Sequence, residues 1–132
     1  MWVLFAALAG LSAKAHEPLH YKSVTETEYA IELDLDTTGQ ARFTFDSWEA
    51  DDSAPPSHDE LPGTWTQQGS RITVNLKSGL KVTYQLRQCL SYREFGQNGC
   101  SPGLRLLSTT VPANYGLQRF GLWDARFLRV EP

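Results

Sequence analysis

The sequence predicts an all-β fold: an antiparallel meander of about six to eight strands, forming a small barrel or sandwich with one disulfide. Three observations predict it. Apolar residues recur at every second position in successive segments, and Gly- or Ser-bearing turns separate those segments. No stretch of the mature region carries sustained apolar spacing at three and four residues with helix caps.

The cleanest segment is 29–36, where Tyr29, Ile31, Leu33 and Leu35 alternate with Ala30, Glu32, Asp34 and Asp36. That spacing buries one face of a strand and would bury no face of a helix. Thr37, Thr38 and Gly39 suit a hairpin turn, after which Ala41, Phe43 and Phe45 oppose Arg42, Thr44 and Asp46. Residues 49–62 hold Asp51, Asp52, Pro55, Pro56, His58, Asp59 and Glu60 and little to bury, which predicts an exposed loop. Alternation resumes at Gly63 and Trp65, breaks at Gly69 and Ser70, and continues through Ile72, Val74 and Leu76. Lys77, Ser78 and Gly79 turn the chain into Leu80, Val82, Tyr84 and Leu86, completing a second hairpin. Beyond residue 100 the pattern weakens, and strands are expected at 104–109, 115–123 and 125–130.

The first fifteen residues stand apart from this fold. An apolar run from Trp2 to Leu11 is too short to span a bilayer, and Ala13, Lys14 and Ala15 form the small-x-small pattern of a signal peptidase site. Cleavage is expected before His16, although no basic n-region precedes the apolar run; an uncleaved anchor is the alternative. The expected organisation is a signal peptide over 1–15, an N-terminal arm over 16–27 and a barrel-like domain over 28–132, in a periplasmic or secreted protein with no stable membrane span after processing. Cys89 and Cys100 are the only cysteines, which excludes lipid attachment at the signal and suits a loop-closing disulfide in an oxidising compartment. The 132-residue chain has 12 basic and 15 acidic residues, a formal net charge of −3, and shows no Lys/Arg cluster, so nucleic acid is not an expected partner.

Several motifs carry chemical expectations. His16-Glu17-Pro18-Leu19-His20 matches H-E-x-x-H, but Pro18 disfavours helix at Glu17, so a zinc peptidase helix is not expected. After cleavage, His16 would carry a free α-amine beside its imidazole and, with His20 or His58 as a further nitrogen ligand, could chelate Cu(II). Asp34, Asp36 and Gly39 imitate a calcium loop, yet the twelfth position, where a bidentate Glu is needed, is Phe45. Gly99-Cys100-Ser101-Pro102-Gly103 matches G-x-S-x-G, but no histidine follows to activate Ser101. With no constellation of nucleophile, base and orienting group, the chain is not expected to be an enzyme. The aromatics Tyr92 and Phe95, with Arg93 between the two cysteines, are the candidate binding residues, and the acidic loop 49–60 is a second candidate face.

The acidic first hairpin, the acidic loop, Gly63-Thr64-Trp65 and the paired short strands over 29–86 resemble the small barrels of bacterial envelope proteins, of the NlpE N-terminal type and, more distantly, the lipocalin type with its Gly-x-Trp. The lipidation cysteine and the paired C-x-x-C cysteines of the former are missing. The resemblance implies a barrel in the cell envelope with a binding or sensing role. The expected function is therefore an exported, non-enzymatic binding protein for a protein or small ligand, such as an inhibitor or immunity protein, with no cofactor. The alternative is a copper-binding envelope protein.

Overall fold

The structure, a computed structural model, describes residues 18–23, 29–47, 57–93, 96–112 and 121–128. Its strands are β1 (Leu19–Lys22), β2 (Tyr29–Leu35), β3 (Gln40–Ser47), β4 (Ser57–Gln68), β5 (Arg71–Leu76), β6 (Lys81–Ser91), β7 (Cys100–Thr109) and β8 (Leu122–Asp124). Each pairs antiparallel with its neighbours in sequence order, and β8 returns to β1 to close a barrel. The predicted all-β meander is thus a barrel rather than a sandwich, and closure removes the sheet edges that an open meander would present.

Two-residue alternation builds the interior. Ile31 faces Phe45, Leu33 faces Phe43 and Leu35 faces Ala41 across the first hairpin, all of them buried. Ile72, Val74 and Leu76 of β5 join Val82 and Tyr84 of β6 in the same apolar cluster, with Leu104 and Leu122 closing it. Burying a side chain such as Phe43 contributes about 1.5–3 kcal/mol of transfer free energy. Trp65 packs against the cluster from its margin, and its indole N–H donates to the Asp36 carbonyl at 2.9 Å. Two residues earlier, a Cβ on Gly63 would stand 2.1 Å from the Asn75 carbonyl oxygen, so only glycine lets β4 lie this close to β5.

The first hairpin turn is held by Asp36, whose Oδ1 accepts from the Thr38 N–H and hydroxyl and from the Gln40 N–H. These bonds, Gln40 first, hold the Asp36 carboxyl below its usual range and explain why the calcium-like spacing is a turn.

Three expectations are corrected. Ser57–Glu60, expected in the acidic loop, are the first residues of β4 and pair with Thr44–Ser47 of β3. Their polar side chains suit the rim of a barrel, where a strand can be exposed on both faces while its backbone completes the ladder. Leu19–Lys22, inside the stretch expected to be an arm, form β1, because the seam needs a strand between β2 and β8. The strand expected over 125–130 is a turn at Ala125, Arg126 and Phe127. Arg126 bends back there to make a two-pronged ion pair with the buried Asp124, at 3.1 and 2.9 Å. Burial pushes the Asp124 carboxyl up, but the Arg126 bonds outweigh it and leave it lowered. Burial, then the facing Asp124 charge, raises the Tyr21 hydroxyl to about 12.

Candidate functional site

The disulfide Cys89–Cys100 is present, with a Cα separation of 5.0 Å. The loop it closes is not the exposed aromatic face expected from the sequence. Tyr92 is 4% exposed, its ring 5.5 Å from that of the fully buried Trp123 and its hydroxyl hydrogen-bonded to Ser101. Trp123 lies on the outer side of β8, opposite the inward Leu122, and its indole N–H donates to the Leu90 carbonyl at 3.0 Å. Leu90 and Leu128 complete this second apolar cluster. A Cβ on Gly103 would come within 2.6 Å of the Leu122 carbonyl and 3.0 Å of the Leu90 side chain, so a glycine there lets the loop sit down. Tyr92 is therefore a structural peg that fastens the loop over Trp123 rather than an exposed aromatic. Ser101, the serine of the G-x-S-x-G match, is buried and bonded to the Tyr92 hydroxyl. Arg93 is exposed at the end of β6, and Phe95 lies outside the described residues.

Of the candidate copper ligands, His16 lies outside the described residues, and His20 sits in β1 with Nδ1 on Asp34 and Nε2 on Glu32 at 2.9 Å. His58 repeats the arrangement on β4, between Asp46 and Glu60. In each case the two ring nitrogens face different carboxylates, so the groups do not converge on one point. Among the described residues no group of three or more His, Cys, Asp and Glu side chains is placed to hold a metal ion. The extended conformation of Leu19 and His20 also removes the helix that H-E-x-x-H needs.

The Glu60 bond first, and then Asp46, raises the His58 imidazole to about 9, while the His58 bond holds Glu60 below the usual carboxylate range. A group with a raised folded value stabilises fully below its unfolded value of about 6.5, and that contribution fades as pH rises through 9. Stability is therefore expected to fall between about pH 6.5 and 9, and His58→Gln is expected to remove that part of the fall. Denaturation midpoints of the two proteins across this range check it; parallel curves would refute the ion-paired state.

Sequence reasoning missed the distribution of charge around the barrel. The outer face of β1–β4 carries Glu32, Asp34, Asp46 and Glu60, with Arg42 reaching Asp34 and Glu60 at 4.0 and 3.8 Å. The outer face of β5–β7 carries Arg71, Arg87 and Arg105, all exposed, and no carboxylate among the described residues pairs with them. Register places them together: Arg71 faces Gln85, Gln85 faces Arg105, and Arg87 lies two residues along β6 from Gln85. The signal was available, since Glu94 is the only acid between residues 61 and 112 against six basic residues.

No helix of the described residues is long and apolar enough to cross a membrane, a statement that does not extend to strands. The eight-stranded antiparallel barrel is compatible with a lipocalin-like architecture. Comparison with protein-family models, with curated proteins and with solved structures found no match, so the fold and the site rest on this chain alone.

Proposed function

We propose that this chain is an exported, non-enzymatic binding protein that holds an acidic protein surface against the basic outer face of β5–β7, extended by Arg93. The observation that carries the reading is the group of three exposed guanidiniums on one sheet face without a carboxylate among the described residues. Arginine presents five donors in a planar fork suited to carboxylates, and it is enriched in protein interfaces. Leu107, 43% exposed and two residues along β7 from Arg105, adds an apolar contact beside the charges.

Most inward side chains among the described residues pack as one apolar cluster, with the buried Asp124 and the unpartnered Tyr84 hydroxyl as polar groups at its edge and within it. The signal-like start, the disulfide and the likeness to small envelope barrels support an oxidising compartment. An inhibitor or immunity protein of an envelope-directed enzyme is one such case.

Wild-type protein and the Arg71→Gln/Arg87→Gln/Arg105→Gln variant, immobilised in parallel and exposed to envelope extract, test the reading. Wild type is expected to retain acidic partners at low salt, release them at about 300 mM salt, and retain at least about 10-fold more than the variant. Equal retention by the two would remove this face from consideration.

A further inference from the structure

We infer that the acidic surface this face takes is the β2–β4 face of a second copy of the same chain, so that molecules associate head to tail. The inference rests on reading β5–β7 as a docking face and adds the identity of its occupant.

The two faces match in outline as well as in sign. On the basic face, Arg71 and Arg105 flank Gln85 in one cross-strand row, and Arg87 lies two residues along the central strand. On the acidic face, Glu32 and Glu60 flank Thr44 in one row, and Asp46 lies two residues along the central strand. Strands two apart are separated by about 10 Å and alternate residues along a strand by about 7 Å, so the two sets of charges share one backbone outline, two flanking a neutral polar residue and the third displaced along the central strand. The shared register outline lets guanidiniums of one face lie opposite carboxylates of the other when the two meet.

The carboxylates are about one-third to one-half exposed, which leaves oxygen lone pairs free beyond the bonds to His20, His58 and Arg42. Those three side chains hold the carboxylates in place before docking, so less side-chain freedom is lost on association. The two central strands, β3 and β6, are separated by β4 and β5 in the closed ring. The contact is therefore heterologous: each molecule keeps one face free for the next, and assembly continues as a ring or an open chain.

Sedimentation velocity of the full mature chain tests this at about 20 mM and about 300 mM salt, between which the Debye length falls from about 20 Å to about 6 Å. Wild type at about 100 µM is expected to sediment as a concentration-dependent series of oligomers at the lower salt and as a monomer at the higher. Arg71→Gln/Arg87→Gln/Arg105→Gln and Glu32→Gln/Asp46→Asn/Glu60→Gln are each expected to remain monomeric, with circular dichroism spectra like that of wild type.

Mixed one to one, these two variants retain one intact face each and are expected to form dimers that grow no further. A mixture that stays monomeric, or wild type that is monomeric at low salt, overturns the inference. If wild type is monomeric while the arginine variant alone loses capture of acidic partners, only the second-copy occupant falls; if capture is also unchanged, the docking face falls with it. Arginine-dependent binding to phosphatidylglycerol vesicles by a wild type that stays monomeric would assign the face to a membrane and also overturn the inference.

Discussion

Trp123→Ala is expected to cost about 3–5 kcal/mol of stability, the range for removing a fully buried large aromatic side chain. The size of the effect follows from where Trp123 sits. Strand β8 has three residues and meets β1 at two register positions, Tyr21 opposite Asp124 and Lys22 opposite Trp123. Its inner side is held by Leu122 and its outer side by the Tyr92 and Leu90 contacts to Trp123. Truncation removes the outer half of that grip and leaves the Leu90 carbonyl without its indole donor. The seam should loosen first, so amide exchange at Lys22 and Ala125 is expected to rise more than at Leu33 in β2. Chemical denaturation gives the energy and hydrogen exchange gives the place. A loss below about 1 kcal/mol would mean that the outer cluster does not secure the seam.

Replacing both cysteines, Cys89→Ser with Cys100→Ser, is expected to cost about 3 kcal/mol, the chain-entropy value for a loop of this length. The bond joins the end of β6 to the start of β7, and the intervening segment carries Tyr92 onto Trp123. The two effects should therefore be coupled. Once the loop is untied, Tyr92 covers Trp123 for less of the time, and Trp123→Ala in the serine background should cost less than it does in the parent. A double-mutant cycle read by urea denaturation measures the difference; strict additivity would show that the disulfide and the aromatic pair act separately. Tryptophan fluorescence of the reduced protein should also shift to the red as Trp123 gains water.

The legible part of the fold was the part with a local physical signature. Ile31, Leu33 and Leu35 could be assigned to one buried face because alternation has a single geometric meaning in an extended chain. The hairpin at Asp36 to Gln40 could be read because its turn chemistry is contained within five residues. Ser57–Glu60 could not, since their composition is that of a loop and only the neighbouring β3 makes them a strand. Tyr92 misled for a related reason: an aromatic in a Gly- and Ser-rich loop looks exposed until its contact with a residue 31 positions later is known.

The charge face lies between these cases. Counting by segment reveals a basic stretch from residue 61 to 112, but a stretch is not a surface. Cross-strand register turns Arg71, Arg87 and Arg105 into neighbours, and the same register gives Glu32, Asp46 and Glu60 a matching outline.

By itself, the sequence determined that this chain is all-β, that its strands bury one side in two-residue steps, where its main turns fall, and that Cys89 bonds to Cys100. Those features depend on neighbours in the chain or on a unique pair. Only the tertiary structure decided that the sheet closes through β1 and β8, that Tyr92 faces inward onto Trp123, and that Arg71, Arg87 and Arg105 share a face apart from the carboxylates of β2–β4. Each of these depends on which distant strands lie side by side, a relation that residue order does not contain.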